Sequence, residues 1–258
     1  MRIIDSHAHI LKSPNYSQSL LNSMDKHNIE KACISGLGEL FMCVNNDKIQ
    51  KLLNKYPNRF IGAYFIRPGK SDVEEIYQAH DRGFKMLKVT LPTKTYNDKS
   101  FFPLWEAAQE LDMPILFHTG IVTLPQHALE EHVSSWNMHP LRLEPISNAF
   151  PDLFLIIAHL GVHWNMDAAE LIRMRKNVYA DLTGEPDGWR VRADNEGLKK
   201  YLWWPGAFKK IVFGTDVHFS KIGTILKQDR QRLEKLSIKK KTRRLIFSGN
   251  IIKMLNID

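Results

Sequence analysis

Little in this sequence points to an oxidising compartment or a membrane. Of its 258 residues only two are cysteine, Cys33 and Cys43. So few cannot build a disulfide framework, and no CxxC or Cys/His finger spacing surrounds them. Both read as reduced structural thiols. The opening MRIIDSHAHI has no long apolar region behind a basic start and no small-residue cleavage site, so it does not read as a secretory leader. No run approaches the roughly 20 apolar residues of a membrane span. A cytoplasmic location is the expectation that remains. Linkers, low-complexity segments and sequence repeats are lacking as well, which leaves one unit spanning residues 1–258.

Net charge is +8, and a basic balance favours anionic partners. However, many of the lysines fall on expected outer helices or in the KLSIKKKTRR run near the carboxy terminus. They read as a solvated face rather than as a basic stripe interleaved with aromatics, so no nucleic-acid partner is expected. The apolar share of 43% is that of an ordinary globular chain able to bury a core without staples.

What is present is a repeated pair: a short apolar run, then an amphipathic stretch. RIIDSHAHI, KACISGL, RFIGAYFI, FKMLKVTL, PILFHTG, LFLIIAHLG, NVYADLTG and KIVFGTD are the eight runs. Bounded by Gly, Pro, Asp and Asn, they read as buried parallel strands, and the alternation implies βαβ units. Eight units over about 250 residues predict a single-domain α/β protein, a (β/α)8 TIM barrel. The closing RRLIFSGNIIKML reads as a helical segment packed onto the barrel, with a turn or cap at Ser248-Gly249. Two loops are long for this fold, Ile121 to His139 and Glu185 to Asn195. Both follow strand carboxyl ends, where such barrels place their sites.

Four of the runs finish in residues that carry chemistry. In Asp5-Ser6-His7-Ala8-His9 the two histidines are two apart, so a strand projects them to one face. His118 ends PILFH, His159 ends LFLIIAH and Asp216 ends KIVFGTD. Any one of these taken singly reads as a satisfied rim group. Together they supply imidazoles and a carboxylate from separate strand tips, which suits one divalent cation with an open position.

These residues resemble the amidohydrolase superfamily, specifically the amidohydrolase-related branch that includes aminocarboxymuconate-semialdehyde decarboxylase, dihydroxybenzoate decarboxylases and lactone hydrolases. The closing Ser248-Gly249-Asn250 followed by IIKML is similar to the branch's carboxy-terminal pattern. The resemblance implies one metal, most often zinc, on His7, His9, His118 and Asp216, with manganese or iron as alternatives. It implies a catalytic or electrophile-positioning role for His159. Chemistry agrees: a bound ion lowers the pKa of water to about 7, Asp216 can accept the water's proton, and His159 can polarise the scissile group. In binuclear relatives a carboxylated strand-four lysine bridges two ions. Lys88 occupies that strand, but the favoured reading is an interior lysine paired with a carboxylate such as Asp5. TatD-type nucleases share the histidines and the late aspartate, yet use a strand-four glutamate where this chain has Lys88.

Candidate substrate contacts are Arg67, Trp136, Glu185 and Arg190, with Trp189, Arg192, His139 and His163 nearby in the mouth loops. His127, His132 and His218 read as surface histidines. The leading expectation is hydrolysis of a small carboxylic derivative (lactone, ester or amide) by metal-activated water. The alternative is a metal-dependent non-oxidative decarboxylase or hydratase of an unsaturated or aromatic carboxylic acid. Hydrolysis is preferred because the stretch after strand two, ISGLGEL, offers no arginine to clamp a carboxylate. A non-catalytic metal-binding scaffold is the third reading. A homodimer is the default oligomer.

Overall fold

Apolar runs covered on both faces can pair only as buried parallel strands, with helices outside. The computed structural model has that arrangement; it describes residues 1–122 and 133–258, with Leu40 by its backbone only. Eight strands pair in sequence order, all parallel. They are β1 (Ile4–His9), β2 (Lys31–Ser35), β3 (Phe60–Ile66), β4 (Met86–Val89), β5 (Ile115–Phe117), β6 (Leu155–Ile157), β7 (Val178–Asp181) and β8 (Ile211–Val212). Backbone bonds from Ser6 N to Phe213 O, 2.9 Å, and from Asp216 N to His7 O, 2.8 Å, join the last run to the first. Among the described residues no helix is long and apolar enough to cross a membrane.

The helices follow local signals. In Asn46–Lys55 the side chain of Asn45 caps the start by accepting from Lys48 N at 3.0 Å. Ile49, Leu52 and Leu53 then fall on one face and are buried, each contributing about 1.5–3 kcal/mol of apolar burial. Side chains such as these fill the layer between barrel and helices. A separate cluster fills the barrel itself: Ile4, Cys33, Met86, Leu116, Ile156 and Val212, closed from below by Ile251, Met254 and Leu255. The terminal segment is therefore the barrel's plug. It has no turn at Ser248-Gly249, contrary to expectation. Helix Lys240–Arg244 runs through a π turn, Leu245–Gly249, into Asn250–Leu255. Asn250 Nδ2 donates to Lys209 O and Ile211 O, which satisfies carbonyls beside β8.

The loop expected from Glu185 to Asn195 is also partly helical, over Trp189–Glu196. The amphipathic stretch after β7, NEGLKKYLWW, is not one helix: it breaks at Gly197, which takes φ 86, a conformation that favours glycine.

One irregularity positions the site. Ile4 faces the barrel interior, whereas Ala8 and Ile10 pack outward against the helices. Strict alternation from Ile4 would turn Ser6 and Ala8 inward. Between Asp5 and Ala8 the register slips, three residues of β1 passing two of β2. This bulge inverts the alternation, so His7 and His9 turn inward instead.

Candidate metal centre

Three of the expected ligands come together. Single donor atoms of His7, His9 and Asp216 all lie within 4.8 Å of one another. His9 Nε2 is 3.2 Å from Asp216 Oδ1, and His7 Nε2 is 3.7 Å from the same oxygen. His159 Nε2 is 3.6 Å from Asp216 Oδ2. His118 stands outside that close group, with its ring 5.1 Å from that of His159. Its Nε2 is buried and has no hydrogen-bond partner among the described residues. A buried nitrogen left in that state costs about 1–3 kcal/mol.

The opposite ring nitrogens are spoken for. His7 Nδ1 lies 2.9 Å from Asp181 Oδ2, His9 Nδ1 lies 2.8 Å from Ser35 Oγ, and His159 Nδ1 lies 2.7 Å from Thr183 Oγ1. Thr183 Oγ1 in turn donates to Asp181 Oδ1 at 2.6 Å, so it accepts from the His159 ring. An Nδ1 proton aimed at an acceptor leaves the lone pair on Nε2, the state in which an imidazole binds a metal. Asp181, Thr183 and Ser35 were not singled out in the sequence. Asp181 ends the run VYAD, the same signal that marks Asp216, so strand-end position could have found it.

Backbone geometry at the site is held rather than relaxed. His159 and Asp216 adopt φ of 57 and 48, sparsely populated for side-chain-bearing residues. His159 N is pinned by Asp181 Oδ1 at 2.7 Å, and Asp216 N by His7 O at 2.8 Å. Gly214 lets β8 approach this closely; a Cβ there would come within 2.8 Å of the His7 Cβ.

Electrostatics favour neutral His7 and His118 beside ionised Asp216 and Asp181. Burial pushes His7 down to about 4, opposed by the charge of Asp216. Burial, then the neighbouring His159 and Lys88, holds His118 well below the usual range. Burial alone would raise Asp216, but His7, His9 and His159 outweigh it and keep its carboxyl well below the ordinary range. Burial likewise opposes ionisation of Asp181, which bonds from His7 and Thr183 nonetheless hold far down.

Lys88 does not pair with Asp5, contrary to expectation. Asp5 is filled by Thr215 N and Oγ1, at 3.0 and 2.6 Å, and by His7 N at 3.1 Å. The buried Lys88 Nζ instead lies 2.9 Å from His7 Nε2, and burial lowers it to about 8.

Above this cluster is a cavity of about 250 Å³ lined by Leu11, Leu37, Phe41, Cys43, Thr90 and Val122 over His9, Lys88, His118 and Asp216. A family model described as Amidohydrolase matches residues 39–257.

The chain belongs to this amidohydrolase family.

The match begins after β1, so the β1 histidines rest on their own geometry. No curated protein matches this chain in sequence. Solved structures resemble its fold. An uncharacterized TIM-barrel protein from Bordetella bronchiseptica superposes with TM-score 0.75 at 16% identity, covering 99% of each chain. A probable 2-pyrone-4,6-dicarboxylic acid hydrolase from Acinetobacter baumannii gives 0.68 at 16%, covering 100% of each. A 5-carboxyvanillate decarboxylase from Novosphingobium aromaticivorans, complexed with manganese, gives 0.69 at 14%, covering 99% of this chain and 96% of that one. At such identities the likeness is one of fold.

The family is metal-dependent, and the donor set of this chain fits a divalent ion. Nitrogen donors, one ionised carboxylate and the orphaned His118 Nε2 meet at a cavity with room for a further ligand.

The four expected substrate contacts do not line that cavity among the described residues. Arg67 Nε donates to Leu91 O at 3.3 Å. Trp136 is 55% exposed, beside His139 and Trp164 and under Arg142. Glu185 pairs with Lys221 at 2.6 Å. Arg190 is buried against Asp229, 2.6 Å away. Of the others, Trp189 donates to Thr183 O at 2.8 Å, and Arg192 faces Asn165 and Glu196. His139 is buried and bonded by Leu141 N, with Asp167 at 3.3 Å, whereas His163 and His218 are exposed. His127 and His132 lie outside the described residues.

Proposed function

We propose that this member of the family is a metal-dependent hydrolase of a small carboxylic derivative, a lactone, ester or amide. His7, His9, His118 and Asp216 would hold one divalent ion, with zinc preferred over manganese or iron. The observation that carries the reading is the gathering of Nε2 atoms around Asp216 beneath an open cavity. When bound, the ion supplies Lewis-acid polarisation and a lowered pKa for water.

The chain's own groups supply the rest. Asp216, ionised and facing the cavity, accepts the proton of the attacking water and can return it to the leaving group. His159 is fixed in place by Thr183 and Asp181. From there it polarises the scissile group at the oxygen on which charge develops. Lys88 adds positive charge at the cavity floor. The apolar loops above exclude water and strengthen each of these interactions.

The alternative, a non-oxidative decarboxylase or hydratase, is favoured by Lys88, a cation able to meet a reacting carboxylate. Assays of metal-replete protein against lactones, esters, amides and carboxylic acids separate the two. Uptake of 18O from labelled water into a product carboxylate supports hydrolysis. Release of carbon dioxide, or addition of water across a double bond, would replace it with the lyase reading.

A further inference from the structure

The cavity divides sharply by chemistry. Its polar residues, His9, Lys88, Thr90, His118 and Asp216, lie on β1 and β4 or just beyond the ends of β4, β5 and β8. Its remaining lining, Leu11, Leu37, Phe41, Cys43 and Val122, comes from the loops after β1, β2 and β5. Building on the hydrolase reading above, we propose that the substrate carries a short, uncharged, apolar group next to its reacting carbonyl, seated against Leu11, Leu37, Phe41, Cys43 and Val122.

The wall is preformed. Gly36 lies so close to Val44 that a Cβ would meet the Val44 carbonyl oxygen at 2.2 Å. Gly38 N donates to Val44 O at 3.1 Å and Cys43 N to Gly38 O at 3.0 Å, folding the loop after β2 onto itself. Val44 N to Ile10 O, 3.0 Å, and Lys12 N to Met42 O, 2.7 Å, tie that loop to the one after β1. Leu11 and Cys43 are thereby bridged, and Leu37 and Cys43 are buried. A wall fixed by backbone bonds cannot easily turn a polar group toward a ligand.

No guanidinium offsets it. Among the described residues no arginine lines the cavity. Arg67 turns to Leu91 O, Arg142 to Trp136 and Arg190 to Asp229. The segment 123–132, TLPQHALEEH, contains neither Lys nor Arg in its sequence. Lys88 is the one lysine among the lining residues described, and it sits against His7, where the reacting end belongs. A second carboxylate on the substrate would therefore meet no cationic partner in the apolar wall among the described residues, at a cost of several kcal/mol. The cavity is also small, about 250 Å³.

Acyl hydroxamates test this, because the head chelates a metal whatever the reaction and only the tail changes. Binding of 4-methylpentanohydroxamate and of the similarly sized succinate monohydroxamate to zinc-loaded protein is measured by calorimetry. The branched tail is expected to bind tighter by about 100-fold or more. Phe41→Arg should narrow that ratio by about tenfold or more, by giving the carboxylate a partner. Leu37→Arg serves as a second variant, each being checked first for a native unfolding transition. Equal or tighter binding of the carboxylated tail to the unsubstituted protein would overturn the apolar-tail inference while leaving the metal centre standing. Failure of both ligands to bind zinc-loaded protein would overturn the metal-centre reading, and this inference with it.

Discussion

Asp181 Oδ2 lies 2.9 Å from His7 Nδ1, and that contact leaves Nε2 of His7 turned toward Asp216. The other oxygen of Asp181 accepts from His159 N, Thr183 N and Thr183 Oγ1, at 2.7, 3.0 and 2.6 Å. An asparagine cannot satisfy both sides, since each face of the carboxylate meets donors. In Asp181→Asn the amide NH2 turned toward His7 would drive the ring proton to Nε2 and remove the lone pair. Metal affinity is expected to fall by about 10–100-fold. Competition against a chromophoric chelator reads this directly, and unchanged affinity would show that Asp181 does not set the His7 tautomer.

His118 gives a prediction whose sign depends on metal. Its buried Nε2 has no partner among the described residues. Without metal, His118→Leu should raise stability by about 1 kcal/mol, because an unsatisfied polar atom is replaced by an apolar group. With excess metal the order should invert, since binding to the folded state adds about 2.7 kcal/mol at a hundredfold excess over Kd. Urea unfolding of both proteins, with chelator and with zinc, checks it. The assignment of His118 as a ligand fails if zinc stabilises the two proteins equally.

The strand ends were legible in the sequence because parallel barrel strands are buried on both faces and stop abruptly at polar residues. His7, His9, His118, His159 and Asp216 were found on that signal, and it extends to Asp181. Spacing alone predicts the inward turn of His7 and His9. In fact it depends on a bulge between Asp5 and Ala8, which alternation from Ile4 does not reveal. Candidate substrate contacts were the least legible. Arg67, Trp136, Glu185 and Arg190 stand out by residue type in mouth loops, but Trp136 packs at the surface and partners distant in sequence decide where the other three point. For Glu185 and Arg190 those partners are Lys221 and Asp229, 36 and 39 residues away. By contrast the loop after β2, read only as lacking an arginine, contributes Leu37, Phe41 and Cys43 to the cavity wall.

Arg190 belongs to a buried ionic group, and its effect should be on stability. Its side chain is 1% exposed, and it shares Asp229 with Arg232, which also pairs with Asp194. Asp229→Ala strands a buried guanidinium and is expected to cost about 3–5 kcal/mol. Arg190→Met keeps Asp229 paired to Arg232 and fills similar space, so its cost should be much smaller. Denaturant midpoints measure both. A near-equal loss in the two variants would mean that packing by Arg190, not charge compensation, sustains this part of the barrel.

Cys43 sets an alkaline limit that a single substitution can expose. Burial pushes its thiol from 9.0 up to about 11, against a bond from the Leu37 backbone. The folded chain thus holds this proton more tightly than the unfolded chain, which releases it near 9.0. Between those two values unfolding releases a proton, so the stability it contributes is complete below about 9 and is lost as pH rises toward 11. Two pKa units correspond to at most about 2.7 kcal/mol. Cys43→Ala removes this slope and leaves those of Cys33 and the buried tyrosines, while its own packing loss is a constant offset. Urea unfolding from pH 8 to 10.5 should therefore give curves that converge as pH rises. Parallel curves would mean that the thiol reaches solvent before it ionises, and the cavity wall it helps to form would be less rigid than its backbone bonds imply.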